Sequence, residues 1–204
     1  MTKDLMQKAT LFSKGEDMHI PSGFRPMQKD AGIWEENKDA FLSEIEPRQG
    51  QEKAYSSIME MLAGGRRLLL ISGESRAGKS WFLSGYISEC LKDIYCGKSS
   101  RGVKYMTFFD MELRLRSAQT LGTMDKLFNE LVGYQHLAID ELGRGKWSDF
   151  TATFFTNLLI RRYGEKRETL IATNLKADEL WEMIDIALME RMKAEKAIVL
   201  MKKK

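Results

Sequence analysis

The chain has 204 residues, 43% apolar and 30% charged, with a formal net charge of +3 at neutral pH. That length and balance suit one domain with a real hydrophobic core, and so small a net charge leaves only a local basic patch as a route to nucleic acid. Two cysteines, Cys90 and Cys96, exclude a disulfide framework and a four-cysteine zinc site. No apolar run approaches the ~20 residues of a membrane span and the start lacks a secretory signal, so a cytoplasmic protein is expected.

Residues 1–19 read as an arm, with Leu5, Met6, Ala9 and Phe12 roughly on one helical face, suited to docking a partner. Residues 20–46 read as a linker and pre-core segment. Two of the three prolines and two glycines fall within residues 18–32, which predicts extended chain there. A regular pattern starts near Pro47 and defines a domain over residues 47–204. Residues 49–62 are expected to be helical. Residues 68–72, a short continuous apolar run, predict a strand buried on both faces. Leu83, Tyr86, Ile87, Cys90 and Leu91 recur at helical spacing. Residues 103–109, rich in aromatic and β-branched types, predict a second strand. A helix through Met124, Leu127, Phe128, Leu131 and Val132 precedes a third strand at 137–139. A helix through Phe150, Phe154, Phe155, Leu158 and Leu159 precedes a fourth at 170–173, and residues 197–201 supply a fifth. Strands alternating with helices predict an α/β fold: a mostly parallel sheet of about five strands flanked by helices. Ligands in such sheets bind at the carboxyl ends of the strands.

The polar motifs fall at those ends. Gly73-Glu74-Ser75-Arg76-Ala77-Gly78-Lys79-Ser80 matches the P-loop pattern GxxxxGK[ST] in full, between an expected strand and an expected helix. Its glycines let backbone N–H groups turn onto phosphate oxygens, and the following helix adds its positive end. Lys79 is expected to reach the β- and γ-phosphates of ATP, and Ser80 to bind Mg²⁺. The run Leu137-Ala138-Ile139-Asp140-Glu141 is an apolar strand ending in two acids, the Walker B arrangement. Asp140 is the expected second magnesium ligand and Glu141 the general base for the attacking water. Asn174, just after the fourth strand, is placed to sense the γ-phosphate or orient that water; a turn asparagine is the structural alternative.

In order along the chain, Ile20-Pro21-Ser22-Gly23-Phe24-Arg25, Ile139-Asp140-Glu141-Leu142-Gly143, Trp147, Leu159-Ile160-Arg161-Arg162-Tyr163 and Thr169-Leu170-Ile171-Ala172-Thr173-Asn174-Leu175 resemble the DnaC/IstB-type AAA+ ATPases. The likeness spans roughly residues 20–200. It implies a P-loop NTPase (AAA+) core with no C-terminal lid domain, and ATP and Mg²⁺ as ligands. It also implies Asn174 at the sensor 1 position, and Arg191, within Glu190-Arg191-Met192, as an arginine finger on ATP held by a neighbouring subunit. Arg162 is a second candidate finger, with a packed, hydrogen-bonded arginine as the alternative. Arg114, Arg116 and Lys126 fall in the element that faces nucleic acid in this family, where a solvated helical face is the alternative. The sequence departs from the family pattern at Glu74, Ser75 and Arg76 in the P-loop. It departs again at Asp185-Ile186-Ala187, where a second nucleotide-contacting arginine is missing. The cysteine-rich zinc domain of some loaders is absent.

The function that follows is an ATP-hydrolysing helicase loader for DNA replication, of phage or mobile-element type. It would self-associate into an oligomer or spiral and bind a replicative ring helicase and single-stranded DNA. The alternatives are an IstB-type transposition helper assembling on duplex DNA, and an ATP-dependent scaffold that barely turns over.

Overall fold

The computed structural model of the chain describes residues 20–100, 102–144 and 147–202, apart from the side chains of Ala177, Trp181, Ala187 and Arg191. The expected docking arm at 1–19 lies outside the described residues. In chain order the elements are α1 (Phe24–Ala31), two single helical turns (Glu35–Asn37 and Leu42–Glu44), α2 (Glu52–Leu62), β1 (Leu68–Gly73), α3 (Lys79–Tyr95) and β2 (Val103–Thr107). Then come α4 (Phe108–Leu121), α5 (Met124–Gly133), β3 (His136–Leu142), α6 (Asp149–Gly164), β4 (Glu168–Thr173), α7 (Ala177–Met183), α8 (Ile186–Ala194) and β5 (Ile198–Met201).

The five strands form one sheet in the order β2-β3-β4-β1-β5, with every neighbouring pair parallel. Side chains alternate across a strand, and β1 shows the consequence. Leu69 and Ile71 enter one core with Phe24, Ile58, Phe82 and Tyr86. Leu68 and Leu70 enter the other, with Met111, Leu131, Phe155 and Leu188. Helices therefore cover both faces, and the strands read as unbroken apolar runs for that reason.

Two local expectations are corrected. The segment 18–32 is not extended where it is described, because residues 24–31 form α1. Pro26 lies in the first turn of that helix, where backbone N–H groups have no intrahelical acceptor and a proline removes nothing. The second strand stops at Thr107 rather than at Phe109. The Thr107 hydroxyl accepts from the Asp110 N–H, and the Asp110 carboxylate accepts from the Thr107 N–H. This capping box starts α4 at Phe108, overriding the β preference of two phenylalanines.

Residues 20–46 pack into the core. Phe24, Phe41 and Leu42 have no exposed surface, and Phe24 stacks on Phe41 at 5.8 Å between ring centroids. Gln28, itself buried, donates to the Lys38 carbonyl at 2.9 Å and to Ser88 Oγ of α3 at 3.0 Å. Arg25 donates to the same Lys38 carbonyl and pairs with Asp39. Phe24→Ala is expected to cost about 3–5 kcal/mol in urea unfolding; a loss below about 1 kcal/mol would mean that this segment unfolds separately from the sheet.

Candidate functional site

Three strand ends meet at the carboxyl edge of the sheet. The first carries the loop 73–80. Gly73 pairs with Met201 of β5, and a Cβ on Gly73 would lie 2.2 Å from the Met201 carbonyl oxygen, so no larger residue fits this close approach. Gly78, at φ +95°, turns the chain into α3 in a conformation that side chains disfavour. Gln51, which sequence reasoning did not single out, donates to the Ala77 carbonyl at 2.8 Å and braces the loop from outside. Its neighbours in sequence give no sign of this, because the contact spans 26 positions.

The second end is that of β3. Ile139 pairs with Ile171 and Leu142 with Thr173, so three steps on β3 face two on β4. The extra residue is a β-bulge, and Glu141 within it sits at φ +57°. Adjacent residues of a flat strand point to opposite faces; the bulge re-aims the chain so that Asp140 and Glu141 both line one cleft. Asp140 is buried, and both its oxygens are engaged. Oδ1 accepts from the Glu141 N–H at 2.8 Å and Oδ2 from the Tyr105 hydroxyl at 2.7 Å. Glu141 is less enclosed, and its carboxylate pairs with the exposed Arg144.

The third end is that of β4. Thr173 Oγ1 donates to the Leu142 carbonyl at 2.8 Å and accepts from the Leu175 N–H at 3.0 Å. Ser72 Oγ of β1 donates to the Leu175 carbonyl at 2.6 Å. These anchors on either side of Asn174 direct its side chain to the loop, where Oδ1 accepts from Lys79 Nζ at 2.6 Å.

Lys79 completes the group. It is buried, and Nζ also donates to the Gly73 and Glu74 carbonyls at 2.6 and 2.7 Å. Burial pulls its pKa below the usual lysine value, opposed by the Asp140 and Glu141 carboxylates. Asn37, Ser75, Arg76, Gly78, Lys79, Ser80, Trp81, Asp140, Glu141 and Asn174 line a cleft of about 270 Å³. A second hollow of about 360 Å³ shares Arg76, Gly78 and Trp81 with it and adds the apolar Ile45 and Phe82. A polar cleft continuous with a partly apolar one suits a phosphate chain joined to a flat base. Ser80 and Asp140 offer hard oxygen ligands in the same cleft, the donor type that magnesium takes beside substrate phosphates. Among the described residues no three His, Cys, Asp or Glu side chains cluster as a protein-only metal cage.

No family model matches the chain. The replicative helicase loader DnaC of Escherichia coli strain K12 is 25% identical over 174 residues, covering 84% of this chain and 66% of DnaC. A crystal structure of the DnaC helicase loader superposes with a TM-score of 0.65 at 18% identity, covering 84% of this chain and 100% of that one. The chain resembles DnaC in sequence and shares its fold. The replication initiator DnaA, in a structure bound to AMPPCP and single-stranded DNA, shares the fold at a TM-score of 0.69 and 16% identity, over 85% of this chain and 52% of that one. The chain thus spans 66% of the length of the curated relatives it matches.

Among the described side chains, Arg114, Arg116 and Lys126 lie apart from this cleft. Arg191 falls within α8, and its side chain lies outside the described residues. Arg114 and Lys126 border one hollow between α4 and α5, whereas Arg116 pairs with Glu112 of its own helix. A larger hollow, about 880 Å³, lies along β2 and contains none of the loop 73–80; of its five lining cations, Arg25, Lys38 and Arg114 pair with acids. Among the described residues no helix is long and apolar enough to cross a membrane.

Arg162 takes the packed alternative. It is fully buried, donating to the carbonyls of Leu131, Tyr134 and Glu168 at 2.6–2.7 Å and to Thr169 Oγ1 at 2.8 Å. It ties α5 and α6 to the start of β4 and cannot reach a neighbouring subunit's nucleotide. Arg162→Met is expected to cost on the order of 3 kcal/mol in chemical denaturation, since it strands several buried carbonyls. Nucleotide affinity of the folded protein should be unchanged; a lower affinity at full stability would instead make Arg162 a ligand contact.

Proposed function

We propose that this chain is an ATP-dependent loader of a replicative ring helicase, hydrolysing ATP within an oligomer on single-stranded DNA. The observation that carries the ATPase reading is the convergence of Lys79, Ser80, Asp140, Glu141 and Asn174 on one cleft. The likeness to DnaC supports the loader role.

In this reading the backbone N–H groups of residues 73–80 and the start of α3 cradle the phosphates. Lys79 exchanges its carbonyl partners and Asn174 for β- and γ-phosphate oxygens, recovering in charge-assisted bonds what its burial costs. Ser80 and Asp140 would hold Mg²⁺, which would supply neutralisation of phosphate charge. Glu141 orients a water and accepts its proton. Asn174, released from Lys79, turns to the γ-phosphate or to that water. Arg191 serves the neighbouring subunit's ATP, so the complete site needs two copies of the chain. ATP favours assembly to the extent that it binds the assembled form better than the free one.

The pairing of Glu141 with Arg144 favours a second reading, a scaffold that binds ATP but turns over slowly. One carboxylate oxygen of the base is engaged, and hydrolysis requires that contact to open.

Lys79→Ala is expected to weaken ATP binding on the order of 100-fold in calorimetry, as a buried charge-assisted contact is lost; undiminished affinity would refute the cleft as a nucleotide site. Glu141→Gln is expected to retain ATP and lose about 10²-fold or more in turnover. Wild-type hydrolysis already as slow as that of the variant would favour the scaffold. Mixing Arg191→Ala with Lys79→Ala chains should restore some activity, and no rescue in co-assembled mixtures would remove Arg191 as a finger. Co-elution with the replicative helicase of its own host, with and without ATP, tests the loader role; assembly on duplex DNA without a helicase complex would indicate a transposition helper.

A further inference from the structure

Tyr105 lies on β2, the edge strand, opposite Ala138 of β3 and two residues before the Thr107–Asp140 pair. Its ring is buried to 1% exposure and its hydroxyl reaches forward to Asp140 Oδ2. A phenylalanine would pack the same space without a hydroxyl to satisfy, and a buried hydroxyl is costly unless it is hydrogen-bonded. The partner it has is the buried carboxylate of the cleft that Ser80 also lines.

The bond matters because of what holds the other oxygen. Asp140 Oδ1 accepts from the Glu141 N–H, a backbone group fixed by the bulge. With Oδ2 held by Tyr105, the carboxylate is anchored at both oxygens and cannot rotate without breaking a bond. A carboxylate oxygen accepts two hydrogen bonds or ligands, so each oxygen keeps one lone pair in a set direction. Tyr105 remains a donor at any working pH. Burial raises its pKa first, and the Asp140 charge raises it further.

We propose that Tyr105 is a positioning residue that orients Asp140 to hold magnesium beside the nucleotide. The proposal rests on the reading of Ser80 and Asp140 as the magnesium-holding pair.

The test is Tyr105→Phe, read as binding of a fluorescent ATP analogue across a Mg²⁺ titration and in excess chelator. The Mg²⁺ concentration for half-maximal binding is expected to rise about fivefold to tenfold, the worth of one hydrogen bond, with binding in chelator unchanged. The same substitution in an Asp140→Asn background is expected to add nothing, because its effect runs through that carboxylate. A Tyr105→Phe titration identical to wild type would overturn the proposal. So would an equal further rise in the Asp140→Asn background, which would make Tyr105 a packing residue only. Wild-type binding indifferent to Mg²⁺ would overturn the magnesium reading itself; a Mg²⁺-dependent wild type with an unaffected variant would overturn the role of Tyr105 alone.

Discussion

Strand β1 is hydrogen-bonded on both sides, to β4 from Leu68 to Ser72 and to β5 from Leu70 to Gly73. Its apolar side chains are buried on both faces. The contact between Lys79 and Asn174 depends on that placement. All the strands are parallel, so their carboxyl ends open on one edge. With β1 beside β4, Lys79 lies within reach of Asn174, although 95 residues separate them. With β3 next in order, the acids of the bulge face the same space.

Within that frame, precision comes from short polar ties at the strand ends. Ser72, Thr173 and the carbonyls of Leu142 and Leu175 join β1, β3 and β4 just below the cleft. Lys79 is a desolvated cation surrounded by acceptors, with two carboxylates nearby. Such a group is ready for a polyanion, because exchanging carbonyl oxygens for phosphate oxygens strengthens its bonds without new desolvation. Asp140 is held at both oxygens, whereas Glu141 keeps a labile surface partner. That contrast fits the roles proposed for them, a fixed metal ligand and a base that must move protons.

The strands were legible because both-face burial writes itself as continuous apolar runs, and 68–72 matched β1 to within a residue. The loop 73–80 was legible because its chemistry is local: two glycines, a lysine and a serine at fixed spacing. The misreadings were also local. Pro26 suggests extended chain unless its position in a first helical turn is known, and Phe108-Phe109 continues a β pattern unless the Thr107–Asp110 box is seen to close. The bulge at Asp140 and Glu141 has no sequence mark at all, since it exists only as a mismatch between β3 and β4.

By itself the sequence determined which segments are strands, where the glycine-rich loop falls, and which acids and amide belong at strand ends. Periodicity and fixed spacing are properties of neighbouring residues. Tertiary structure alone decided that Tyr105 holds Asp140, that Gln51 braces the loop, that Arg162 is a buried clamp rather than a finger, and that residues 20–46 belong to the core. Those contacts join residues 26 or more apart, or depend on a side chain's burial. They arise from strand order and helix packing, for which no local pattern exists to be read.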